Sequence, residues 1–146
     1  MLRLGFYLSG AQPVERVLPL IARAAAKAGQ RMVVVAEDAD LLDRLDKALW
    51  EQVPDDYLAH GRADAPHARR QPVLLSTDCT AANGATLVAL ADGQWRPEAE
   101  RFERALLLFD ESGRAASREI WRLFDQREDV TREFHELDGG KWVQKA

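Results

Sequence analysis

The 146-residue sequence is 47% hydrophobic and 30% charged, the balance of one compact globular domain over residues 1–146 rather than of a disordered chain. Twenty basic against twenty-four acidic side chains leave a formal charge of -4, so no overall positive field draws the chain to a phosphate backbone. A single cysteine, Cys79, excludes an intrachain disulfide and a multi-cysteine zinc site; the start, Met1 to Phe6, lacks a secretion signal, and the apolar runs are too short to span a bilayer. A soluble cytoplasmic protein without membrane contact is expected.

Leu2, Leu4, Phe6 and Leu8 alternate with other residues before Ser9-Gly10, which reads as a strand and a turn. From Pro13, Val14, Val17, Leu18, Ile21 and Ala25 recur at helical spacing, and Gly29 stands where a helix C-terminal glycine belongs. Met32 to Ala36 is a continuous, largely β-branched run of the kind buried on both faces of a parallel sheet. Glu37 to Asp40 supplies capping residues for a second helix, marked by Leu41, Leu45, Ala48 and Leu49 and ending near Trp50.

Val53 to Gln71, with its prolines, histidines and alternating charges, reads as an irregular excursion. Val73 to Ser76 and Thr86 to Leu90 are short strands, separated by a stretch whose Asn83-Gly84 pair suits a tight turn. Ala105 to Phe109 is a further apolar run; Gly113 to about Val130 has helical periodicity, and Phe134 to Val143 reads as a polar tail carrying Trp142. Together these elements predict an α/β fold, a single-domain Rossmann-like sandwich with a largely parallel central sheet.

Such an opening invites a nucleotide-binding reading, which the first β-to-α turn refuses. Leu8-Ser9-Gly10-Ala11-Gln12-Pro13 holds one glycine where a dinucleotide cradle needs three, and no phosphate-binding loop motif occurs elsewhere. His60, His67 and His135 belong to no metal-ligand spacing, so neither metal nor cofactor is expected. Glu37 and Asp38, at the end of the second strand, are the best catalytic candidates; the plainer reading makes Asp38 or Asp40 a helix cap. No nucleophile motif accompanies Ser9 or Cys79, and no catalytic residue is assigned.

Binding surfaces are better marked. Arg114, Arg118 and Arg122 recur at intervals of four along the late helix, with Trp121 on an adjoining flank and Ala116, Ile120, Leu123 and Arg127 pointing the other way. That stripe suits a short acidic peptide with an aromatic residue or terminal carboxylate. The bland alternative is a solvated face, with Arg122 paired to Glu119 or Asp125 and Trp121 half buried. Trp50, Tyr57 and His60 form a second cluster, either an interface patch or a satellite holding the loop to the domain.

Phe6-Tyr7-Leu8, the helix running to Gly29-Gln30-Arg31, Val33 to Asp38 and Leu45 to Trp50, in this order and spacing, resemble the amino-terminal half of the DNA polymerase III chi subunit family. The likeness recovers at Arg118-Glu119-Ile120-Trp121-Arg122 and at Trp142. It implies a non-catalytic accessory subunit of the clamp loader with two protein partners and only indirect contact with DNA. The psi subunit would bind at Trp50, Tyr57 and His60, and the acidic, phenylalanine-ended tail of single-stranded-DNA-binding protein at Arg118, Trp121 and Arg122. The sequence departs from the family pattern in an acidic Asp125–Glu136 segment and an Arg/His-rich loop over Gly61–Gln71. The competing readings are an interaction domain for another acidic-tailed partner and a small α/β enzyme built on Glu37 and Asp38.

Overall fold

A computed structural model describes residues 1–51 and 59–146. Strands β1 (Leu2–Leu8), β2 (Met32–Val35), β3 (His60–Arg62), β4 (Val73–Ser76), β5 (Leu87–Leu90), β6 (Arg104–Phe109), β7 (Val130–Asp138) and β8 (Lys141–Gln144) form one eight-stranded sheet in the order β3-β4-β2-β5-β6-β1-β7-β8. Every neighbouring pair is parallel except β7 with β8. The fold is thus the expected α/β arrangement with a largely parallel sheet.

Parallel strands must be covered on both faces, and the sequence supplies two apolar layers to do so. One layer gathers Tyr7, Met32, Val34, Ala89, Leu106 and Leu108 beneath helices α1 (Val14–Lys27) and α2 (Ala39–Glu51), which contribute Leu18, Ile21, Leu42, Leu45 and Leu49. The opposite layer holds Leu4, Phe6, Leu8, Val33, Val35, Leu107 and Phe109, closed by Ala99, Phe102 and Phe124, with Ile120 and Trp121 of α3 (Arg114–Arg122) packed against it. The alternation read in β1 therefore sorts side chains between two cores rather than between core and water.

α1 ends in a Schellman arrangement. Gly29 adopts φ +69°, its N–H donates to the Ala26 carbonyl, and the Gln30 N–H reaches back to the Ala25 carbonyl. Gly5 is required for a different reason: a Cβ there would lie 2.6 Å from Cε1 of Tyr7, whose ring lies back across the strand.

Asn83-Gly84 makes the expected tight turn, with the Gly84 N–H donating to the Ala81 carbonyl at 3.0 Å and Gly84 at φ +74°. The turn joins no hairpin, because β2 lies between β4 and β5, and Asn83 also donates from Nδ2 to the carbonyls of Met32 (3.3 Å) and Gln71 (2.9 Å) and accepts the Ala85 N–H (3.2 Å). Three expectations need correction. The late helix covers only Arg114–Arg122, and its inward side is Ser117, Ile120 and Trp121, whereas Ala116 and Leu123 face solvent and Arg127 lies beyond its end. The supposed polar tail is the β7–β8 hairpin, turned by Gly139 (φ +56°) and Gly140 (φ +82°), the two positive-φ positions a type I′ turn requires. The excursion after α2 contains the short edge strand β3, paired with β4.

Candidate partner-binding site

β1 and β7 lie side by side in register, with Phe6 opposite Phe134, so both rings project from the same face of the sheet. α3 crosses this face and sets Trp121 against Phe6, ring centroids 5.0 Å apart at 59°. Ser117, the one fully buried position of α3, meets its own hydrogen-bonding need by donating its hydroxyl to the Arg114 carbonyl at 2.7 Å.

Between the helix and the two strands lies a cavity of about 260 Å³, lined by Phe6, Ser117, Arg118, Trp121, Arg122, Phe134 and Ala146. Its floor is aromatic and its rim is cationic. Arg118 forms no hydrogen bond or ion pair among the described residues, and Arg122 is held only by the exposed Glu119 at 2.9 Å. An exposed pair of that kind is worth little and yields readily to a competing anion. Arg114, the third member of the stripe, is engaged elsewhere: it meets Glu111 at 2.7 Å and Glu136 at 3.9 Å, which raises its pKa and lowers that of Glu111 through their shared hydrogen bonds.

Arg132 on β7 reinforces the site from behind. Its Cζ stands 4.6 Å over the Trp121 ring, and its Nη1 donates to the Trp121 carbonyl and to Asp125. The acidic 125–136 segment thus does not fray the pocket; Asp125 is absorbed by Arg132, and Phe134 forms part of the floor. Phe6, Ser117, Arg132 and Phe134 were missed as site residues. Phe6 reads as simple core, and the alternation Arg132-Phe134-Glu136 against Thr131-Glu133-His135 was the one available sign that the segment is a strand with a facing side.

The second cluster is brought together in part. Trp50, at the end of α2, is 54% exposed and its ring lies 4.7 Å from that of His60 at the start of β3. His60 is buried, with Nε2 2.7 Å from an Asp46 carboxylate oxygen. Tyr57 lies outside the described residues.

Of the two catalytic candidates, Asp38 caps a helix. The Asp38 carbonyl accepts the Leu42 N–H and its carboxylate accepts the Asp40 N–H, which is helix capping. The Glu37 N–H donates to Asp92, and the cavities at the carboxyl edge around Thr77 and Asp78 are lined by neither Glu37 nor Asp38. Burial pushes the Cys79 thiol above its ordinary pKa, the opposite of an activated nucleophile. Among the described residues no three His, Cys, Asp or Glu side chains are grouped as a metal would need, and no helix is long and apolar enough to cross a membrane.

In a comparison with protein families, the family described as DNA polymerase III chi subunit, HolC, matches residues 1–130. The chain belongs to the chi subunit family. No curated protein matches it. Chi membership makes the chain an accessory component of polymerase III and its clamp-loader complex. The match takes in β1 through α3, and with them Phe6, Arg118, Trp121 and Arg122; Phe134, Trp142 and nearly all of the β7–β8 hairpin lie beyond it.

Proposed function

We propose that this chi-family chain is a non-catalytic adaptor that holds the acidic, phenylalanine-ended tail of single-stranded-DNA-binding protein in the cavity beneath α3 and meets the psi subunit at Trp50 and Tyr57, with the buried His60 ring supporting Trp50 rather than touching the partner. The observation that carries the tail reading is the pairing of an aromatic floor with two available guanidinium groups on its rim. A terminal phenylalanine has an apolar ring and a carboxylate on adjacent atoms. The ring would bury against Phe6, Trp121 and Phe134, while the carboxylate and the preceding acidic side chains would take charge-assisted hydrogen bonds from Arg118 and Arg122. For the psi surface the support is an exposed indole beside an edge strand, the kind of aromatic anchor that protein interfaces favour.

Titration of the protein with an acidic peptide ending in phenylalanine, beside the same peptide lacking that residue, tests the tail site. Saturable binding of the intact peptide alone is expected, weakened by about 1–3 kcal/mol in Arg118→Ala or Arg122→Ala. Undiminished affinity in both variants would refute the assignment.

A further inference from the structure

The Arg/His-rich loop over Gly61–Gln71 supplies no residue to either surface described so far. Its later part, 67–70, settles at the amino edge of the sheet. There β2 and β4 pair with Met32 opposite Val73, so Arg31 and Arg70 stand just before two neighbouring strands begin. Asn83 draws a second loop to the same place by bonding the Met32 and Gln71 carbonyls. Arg31 ties the two loops together, its Nη1 donating to the carbonyls of Arg69 at 3.0 Å and Asn83 at 2.9 Å. At this junction lies a cavity of about 380 Å³, lined by His67, Arg69 and Arg70 together with small residues such as Ala65, Pro66 and Ala82.

Three exposed guanidinium groups therefore gather at one edge, and no carboxylate is paired with any of them among the described residues. Arg31 donates only to carbonyls, and the Arg69 and Arg70 side chains form no hydrogen bond or ion pair there. The loop's one acid, Asp64, lines a different cavity with Arg62, by the carboxyl end of β4. Cations gathered in this way make a local positive potential even on a chain of net charge -4, and attract an anion from outside. The lining says which kind. The α3 cavity has an aromatic floor for a peptide side chain, whereas here alanines and a proline offer no anchor of that size and His67 is the only ring. Repeated phosphates need no such anchor, because guanidinium forks take them through charge-assisted hydrogen bonds.

We propose that the Arg31, Arg69 and Arg70 patch holds the sugar–phosphate backbone of single-stranded DNA without reading its bases. Family membership places the chain in a DNA polymerase assembly, where such a strand is at hand. A short patch suits a flexible strand, which can bend successive phosphates toward it, better than a stiff duplex. The contact is weak by itself and gains weight once a partner protein holds the strand nearby, at high effective concentration. The patch shares no residue with the α3 cavity, so the inference stands whether or not that cavity takes the acidic tail.

The test is fluorescence anisotropy of a labelled oligothymidylate titrated with the full chain. Saturable binding is expected at low salt, with log Kd rising against log salt at a slope of about 2, the value for three phosphate contacts on a single strand. Arg69→Ala combined with Arg70→Ala should weaken binding by about tenfold or more and bring the slope below about 1. Both side chains are exposed and unpartnered among the described residues, so thermal unfolding of this variant should match the parent's. Arg31 is left in place because its hydrogen bonds join the loops. Arg118→Ala combined with Arg122→Ala should bind the strand as the parent does, and the phenylalanine-ended acidic peptide should not displace it. Absence of saturable binding at low salt, or undiminished affinity in the Arg69 and Arg70 double variant, would overturn the proposal. Displacement by the peptide would overturn it too, and would make the patch a surface for acidic protein.

Discussion

Asp92 shows how a single carboxylate can organise the carboxyl edge of the sheet. Burial acts to raise its pKa, but hydrogen bonds from Arg96 and from the Glu37 and Gln94 N–H groups outweigh it and hold the group below its ordinary value. Both side chains are largely buried, and Arg96 bonds Asp92 through two nitrogens at 2.9 and 2.8 Å. Arg96→Ala removes both charge-assisted bonds and leaves the acid partly desolvated. A loss of about 1.5–3 kcal/mol in urea-unfolding stability is expected, while loss of no more than a few tenths would mean the pair is idle. His135 carries a pH dependence of the opposite chemical type. Its folded pKa is depressed, chiefly by burial with help from Arg104 and Arg3, so the unfolded chain binds the proton more readily. Stability contributed by the neutral ring is present above about pH 6.5 and is lost as pH falls below it toward the folded value. Parent protein should therefore lose more melting temperature between about pH 7.5 and pH 5.5 than His135→Phe, which keeps an aromatic ring on Tyr7. Equal losses in the two proteins would remove His135 as the source.

At the scale of elements, the positions where periodicity is strong and apolar were legible: β1, α1, β2, α2, β4, β5 and β6 fall where their patterns predict. α3 and the hairpin did not. Gly113 to Val130 carries helical spacing throughout, yet the helix stops at Arg122, where Trp121 and Phe124 turn into the core and Arg132 caps the Trp121 carbonyl from a different strand. β7 reads as a polar tail because its charged side chains have partners supplied from afar, Arg3 for Glu133 and the Trp121 ring for Arg132. Asn83 illustrates the same point in a loop. A residue read as a turn former sits in that turn and also joins the starts of three strands, bonding the carbonyls of Met32 and Gln71 and the N–H of Ala85. Asn83→Ala should cost about 2 kcal/mol in urea unfolding at unchanged m value, whereas a Gly84→Ala effect alone with Asn83 neutral would make the turn the important feature.

Over the whole molecule, the two proposed protein surfaces sit far apart. Trp50 and His60 belong to the β3 edge, and the α3 cavity lies over β1 and β7, with β1 five strands away from β3. At about 4.8 Å per strand spacing, that places them roughly 24 Å apart. Two partners could then be held at once, which is what an adaptor requires. Sites at that separation with no shared side chains behave additively, so Trp50→Ala should leave affinity for the phenylalanine-ended peptide within about 0.5 kcal/mol of the parent. A larger change would reveal coupling through the sheet.

Alone, the sequence determined the alternation of strands and helices, the absence of a phosphate cradle in the first turn, the arginine spacing on α3 and the family resemblance, because each is written in local spacing that needs no distant partner. Tertiary structure alone decided which face of α3 is buried, that Phe6 and Phe134 close the floor beneath Trp121, that Arg118 and Arg122 are left available while Arg114 is not, and that Arg104, His135 and Trp142 meet on one cavity. Those facts depend on strand order and register, which bring residues more than a hundred positions apart into contact, and no local periodicity encodes which strand lies beside which.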